Sequence, residues 1–490
     1  MSCLNSTYEQ EAESFLTELE EEYYRNGAGL KETLDLSQIY EKYDHLFSRE
    51  NVERLLESRE TRPGRHLAYF AASQRLDNSV RALTQQITTA ETQATLEWDG
   101  ERVPYRLARV LLNTEPDRAR RLELHRRLLA ITEQRNSLRA ERLARLHGQA
   151  ASLGFAGYIP FCQDLAEIRI ELLAAQMNRL LESTAARWHE QLAAVLDQAG
   201  IPREDADISD LNYLLMGPQF DLHFPKDKLI PCLRQTLSGL GIDLDSQANL
   251  RLDTEERPLK SPRAFCSTVR VPSDVRLVIM PQGGQDDYNT LFHEAGHAQH
   301  FVHTRASAPF AFRCLGDNSV TEGYAFLFNL LLQTPDWASH TTIIRWPAAY
   351  AHFSNFRQLY YLRRYAAKLN YERELHAHEA PIPDLGERYA ELLGEAIGVR
   401  IPPGRYLADV DDGFYCARYL RGWMFEVQLR RRLVERFGKR WFASRDAGDF
   451  LKDLWELGQE FTADELAQRL DYPGLDPDSL IADLLSPPAA

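Results

Sequence analysis

The sequence reads as a mainly α-helical fold with one small β element. Apolar residues recur at three and four spacing from residue 8 to about 240, and β-branched runs are few. Strand-like runs are confined to residues 263–281. At 490 residues, with 44% hydrophobic and 26% charged, the chain has the length and composition to bury a large core, which excludes fibre and long disorder.

Along the N-terminal part, residues 1–250, Phe15, Leu16, Leu19 and Tyr23 form one helical stripe, and Leu122, Leu124, Leu128, Leu129 and Ile131 form another. Breaks fall at Arg62-Pro-Gly, at Gly154 and at Gly200-Ile-Pro. In residues 264–280 two strand-like runs flank Pro272-Ser-Asp, the pattern of a hairpin. Asp286 or Asp287 is then expected to cap a helix that begins near Tyr288. Further helices are expected at about 320–332, 355–375 and 414–437 within a metal-binding part spanning 251–472. The proline-rich tail, 473–490, reads as a surface extension, and the whole as a single catalytic unit.

Charge and targeting narrow the partners. Lys+Arg 57 against Asp+Glu 72 gives a net charge of −15, which disfavours nucleic acid and anionic membranes. The arginine-rich segment 118–145 interleaves arginine with Glu123, Glu133 and Glu141, the pattern of a solvated helix face. The sequence shows neither the basic, apolar opening of a secretory signal nor 18 consecutive apolar residues, so a cytoplasmic protein is expected. Six cysteines stand singly with no CxxC pair, which signals neither a disulfide framework nor a thiolate metal site.

Chemistry concentrates in Thr290-Leu-Phe-His293-Glu294-Ala-Gly-His297-Ala-Gln-His300. Imidazoles four residues apart lie about 40° apart around a helix, so both can reach one ion, while Glu294 is offset beside it as a general base for the attacking water. By composition, about 0.03 such HExxH matches are expected by chance, so coincidence is a poor explanation. A catalytic zinc of this kind needs a third protein ligand. Glu322, 25 positions after His297 on the next expected helix, is chosen over Asp317, which sits in the preceding loop and could instead orient a liganding imidazole. His300 lies too far along the axis to join them and is expected beside the site; His303 is expected at the surface.

These residues resemble the thimet oligopeptidase and oligoendopeptidase F family of zinc metallopeptidases, whose helix reads TLFHExGHAxH. Leu153-Gly-Phe-Ala-Gly-Tyr, the run from Phe356 to Tyr365, and the run from Phe414 to Trp423 are similar to later and earlier segments of that family. The resemblance implies two helical lobes flanking a deep substrate channel, one Zn2+ per chain on its floor, and short peptides as substrates. It also implies that Val275 to Met280 is the edge strand that pairs with substrate, and that Tyr415 and Tyr419 donate to the developing oxyanion. The family's histidine ahead of those tyrosines is replaced here by Asp409, Val410, Asp411 and Asp412. Two rival readings remain open: a metallocarboxypeptidase or dipeptidyl carboxypeptidase, with Arg418 or Arg421 holding the substrate carboxylate, and a non-catalytic helical scaffold.

Overall fold

A computed structural model describes residues 3–341, 348–377 and 385–486 of the chain. Among them are 21 α-helices and only two small sheets, of two and three strands, so the fold is mainly α. No described helix is long and apolar enough to cross a membrane.

The first helix, Cys3–Gly27, turns Phe15 and Leu19 inward and leaves Tyr23 exposed: Phe15 is fully buried and meets Tyr43 and Phe47 edge-on. Arg62-Pro-Gly starts a helix rather than ending one. Pro63 occupies the first turn of Arg62–Gln93, where its missing N–H costs nothing, and the Thr61 hydroxyl accepts from Gly64 N at 3.3 Å. Gly154 and Gly200, both at positive φ, close the helices Asn136–Ser152 and Ile170–Gln198.

One continuous core takes residues from Tyr8 through to Leu484, so packing does not divide at residue 250. A smaller core gathers Leu96, Val103, Tyr105 and Leu128 around an antiparallel hairpin of β1 (Thr95–Trp98) and β2 (Glu101–Pro104), turned by Asp99 and Gly100 at positive φ. That hairpin lies outside the predicted β region.

The second sheet corrects an expectation. β3 (Leu250–Asp253) pairs in parallel with β5 (Asp274–Val278), which pairs on its other side with β4 (Phe265–Arg270). Asp274–Val278 is therefore central rather than an edge. Four of its five residues are buried, which is the position apolar strands take when both sides can be paired. The hairpin was legible; β3, four residues long, was not.

The tail is also not a loose extension through residue 486. Residues Pro477–Leu485 form a helix that buries Leu480 and Leu484 against the helices Ile170–Gln198 and Tyr415–Phe437, with Asp476 as its cap. Its last residues, 487–490, lie outside the described residues. Most arginines of 118–145 are ion-paired: Arg118 and Arg121 to Asp210, Arg120 to Asp99, Arg126 and Arg127 to Glu123, Arg145 to Glu141.

Three helices meet where glycine replaces a side chain. They are Gln285–His303, Asn318–Asn329 and Tyr415–Phe437, and the middle one packs on both others. A Cβ on Gly296 would stand 2.6 Å from Ala325 Cα, one on Gly323 would stand 2.4 Å from the Phe425 ring, and one on Gly422 would stand 2.9 Å from Glu322 Cβ. Gly296→Ala is expected to destabilise the fold by about 1–3 kcal/mol through overpacking. Gly148→Ala, in a helix with nothing within 4 Å, should stabilise it by about 0.5–1 kcal/mol. Chemical denaturation midpoints of the two variants check this, and equal midpoints would show that the helices part freely.

Candidate active site

Gln285–His303 begins three residues before the predicted start. Its cap comes from elsewhere in the chain: Asp221 Oδ1 accepts from Gln285 N at 3.0 Å, while Asp287 accepts from Gln282 N (2.6 Å) and Gly283 N (2.8 Å). Asp286 and Asp287 sit in the first turn, where the helix dipole favours acids. One turn further on, His293 and His297 project toward the neighbouring helix, their rings 4.9 Å apart and nearly perpendicular.

Across the Gly296 contact stands Glu322. Its Oε2 lies 3.4 Å from His293 Nε2 and 3.8 Å from His297 Nε2. Ligands arranged tetrahedrally about zinc at its usual bond lengths are roughly 3.4 Å apart, so one ion fits between these atoms with little adjustment. Glu322 is 3% exposed, and Oε2 has no hydrogen-bond partner. A buried carboxylate oxygen left this way is costly unless a cation completes it. The donor set of two imidazoles and a carboxylate suits zinc.

Protonation fits the same arrangement. Burial raises the Glu322 carboxyl, but His293 and His297 outweigh it and hold the group below the usual glutamate range, as an anion. Burial pushes His297 down to about 4, so its ring is neutral at pH 7. For His293, burial opposes the charge, yet Glu322 wins and raises the imidazole.

An outer partner fixes one of the rings. His297 Nδ1 meets Thr321 Oγ1 at 2.7 Å. Thr321 was not singled out by the sequence, since nothing in the spacing marks a hydroxyl for this task. Asp317, the expected orienting carboxylate, does other work. It caps Asn318–Asn329 through Ser319 N at 3.0 Å, and it takes Arg421 Nη2 at 2.5 Å and Ala463 N at 3.0 Å. His300 is fully buried away from the site, with Nε2 on Gly458 O at 3.2 Å and its ring on Tyr324. Three residues at 1.5 Å rise carry it about 4.5 Å along the axis, into the core. His303 is half-buried, with Nδ1 on Gln299 O at 2.8 Å.

Glu294 faces β4 rather than the ligand triad. Its Oε2 accepts from Cys266 N at 2.9 Å, so the outer edge of β4 touches the carboxylate directly. Burial, reinforced by Glu322, pushes the group up to about 7 against the pull of His293, the Cys266 amide and Arg263. His293 and Glu294 open into a cavity of about 390 Å3, walled by Ala264, Phe326, Tyr419 and Trp423. Phe326 and Trp423 stack at 4.4 Å, which gives that wall a flat apolar surface.

The two tyrosines part company. The Tyr415 hydroxyl donates to Glu322 Oε1 at 2.8 Å, so it holds the carboxylate rather than facing the cavity as expected. Tyr419 lines the cavity. Neither arginine proposed for a substrate carboxylate lines it. Arg421 is held by Asp317 and by Asp464 at 2.9 Å, and Arg418, 7% exposed, donates to the Tyr69 hydroxyl and lies over the Tyr415 ring. A second ligand-like group, Glu372, Asp411 and Cys416, already has a cation: Lys368 Nζ is 2.8 Å from Asp411 and 3.7 Å from Glu372.

No model of a known protein family matches the chain, and no curated protein does. The site therefore stands on its own geometry. Protein stripped with a chelator and re-dialysed against zinc is expected to retain about one equivalent per chain, and His297→Ala to retain none. Thr321→Ala should weaken binding about 10–100-fold by freeing the His297 ring. Competition with a fluorescent zinc indicator measures both, and unchanged affinity in His297→Ala would remove that histidine from the ligand set.

Proposed function

We propose that the chain is a metallopeptidase that hydrolyses peptide bonds in short peptides, with zinc held by His293, His297 and Glu322. The observation that carries the reading is the bare, buried Oε2 of Glu322 aimed between two imidazole nitrogens, beside a second carboxylate, Glu294, that opens into a cavity. The motif's likeness to the thimet oligopeptidase and oligoendopeptidase F family supports it. A zinc ion bound there supplies Lewis acidity, lowering the pKa of water and polarising a carbonyl.

The residues divide the remaining work. Glu294, near neutrality, takes the proton of the attacking water and returns it to the leaving amine. The Cys266 amide holds one of its oxygens, which fixes the direction of that transfer. A peptide can enter the cavity beside Ala264, where β4 begins, while the outer-edge amide of Cys266 is already given to Glu294. Tyr419 is the hydroxyl placed to donate to the oxyanion, and Tyr415 keeps Glu322 oriented.

Glu294→Gln is expected to keep its zinc while kcat on a short peptide falls by about 10²–10⁴. Substantial turnover in that variant would reject Glu294 as the base. The two tyrosines should separate: Tyr419→Phe lowers kcat about 10²-fold at unchanged metal affinity, whereas Tyr415→Phe weakens zinc. Arg418 and Arg421 do not line the cavity, though Arg263 and Arg357 do, and an endo-acting peptidase should cut a C-terminally amidated peptide as readily as the free acid. Mass analysis of both digests checks this, and strict dependence on the free carboxylate would favour the carboxypeptidase reading.

A further inference from the structure

Arginines from the segment 118–145 and from outside it gather at a second cavity. Away from the metal centre, a cavity of about 320 Å3 lies between the helices Arg62–Gln93, Tyr105–Thr114 and Asn136–Ser152 and the loop that ends at Asp412. Four arginines line it, Arg109, Arg139, Arg142 and Arg405, against two carboxylates, Glu91 and Asp412. Both acids are spent: Arg139 Nη2 donates to Glu91 Oε1 at 2.7 Å, and Arg142 Nη1 to Asp412 Oδ1 at 2.9 Å. Arg109 and Arg405 make no hydrogen bond or ion pair through their guanidinium groups among the described residues.

The surroundings deepen the imbalance. Arg135, 9% exposed, donates only to the carbonyls of Ile131 and Ala90 and has no carboxylate partner among the described residues. Burial holds Arg139 below the usual guanidinium range against the pull of Glu91. In a chain of net charge −15, whose other arginines are mostly paired, this is a concave site with cations to spare.

We propose that this cavity binds a small phosphate-bearing anion, held by Arg109 and Arg405. Arg109 and Arg405, whose N–H donors make no hydrogen bond among the described residues although Arg405 also faces Asp409, offer planar forks that a phosphate with several oxygens can engage at once, whereas one carboxylate saturates a single fork. The volume suits a small molecule. A nucleic acid would need a continuous basic face, and the rest of the segment is neutralised by Asp99, Glu123 and Glu141. Arg405 ends the turn Pro403–Arg405 that feeds the Asp412 loop, so an anion bridging it to Arg109 would tie that loop to the Tyr105–Thr114 helix.

This site is independent of the hydrolase reading, and its test needs no activity. Titration calorimetry of the full chain with inorganic pyrophosphate is expected to show about one site that weakens as chloride rises. The double variant Arg109→Ser/Arg405→Ser should lose at least about tenfold in affinity, equivalent to 1.4 kcal/mol. Arg109→Ser alone, on an exposed position, should show part of that loss, and Arg126→Ser, outside the cavity, none. Absence of binding, wild-type binding by the double variant, or tighter binding of trialanine than of pyrophosphate would each overturn the assignment.

Discussion

How closely the helices Gln285–His303 and Asn318–Asn329 pass each other determines the centre. Side chains normally hold packed helices some 8–10 Å apart. At Gly296 there is none, and backbone meets backbone at Ala325 and Tyr324. His293 and His297 lie three residues before and one after that contact, and Glu322 lies three before its other side, so the ligands sit at its narrowest point. Gly422 repeats the device against Glu322 Cβ, and Gly323 against Phe425, which locks in the helix that carries Tyr415. Each helical glycine costs about 1 kcal/mol relative to alanine. The geometry accepts that cost three times to bring short side chains within reach of one point.

Such closeness creates an electrostatic problem that the site is shaped around. A buried carboxylate faces two imidazole nitrogens with one of its oxygens unpartnered, while Tyr415 satisfies the other. Glu322 raises His293 against the effect of its burial. His297 stays neutral because burial dominates there. An ionised Glu322 and a neutral His297 are in the protonation states a metal requires of its ligands, whereas His293 would give up its proton on binding one.

The sequence revealed the helical class because long amphipathic stripes have a period that survives local noise. It pointed to His293 and His297 because their spacing on one helix is fixed by geometry, and the structure brings Glu322 of the next helix beside them. Features set by distant partners were hidden. Asp221 caps a helix 64 residues away, Thr321 acts only after two helices pack, and β3 is too short to show alternation. The resemblance misplaced Val275–Met280 as an edge: an apolar strand is more readily buried in the middle of a sheet. The tail misled in the opposite way, since its prolines suggested a loose extension while Pro477 merely starts a helix.

The stretch from Asp409 to Gly413 is anchored residue by residue. Each acid is tied to a different neighbour: Asp409 to Arg364 and the Tyr389 hydroxyl, Asp411 to Lys368, Asp412 to Arg142. Gly413, at positive φ, donates its amide to the Tyr158 hydroxyl, and Phe414, also at positive φ, turns the chain into the final helix. A non-glycine residue is uncommon in that conformation and persists only when its surroundings hold it. Four anchors on four elements hold it here, and the helix they launch carries Tyr415 to Glu322 and Tyr419 to the cavity. The placement of the two tyrosines thus depends on ion pairs with Arg364, Lys368 and Arg142, well upstream of the helix that carries them.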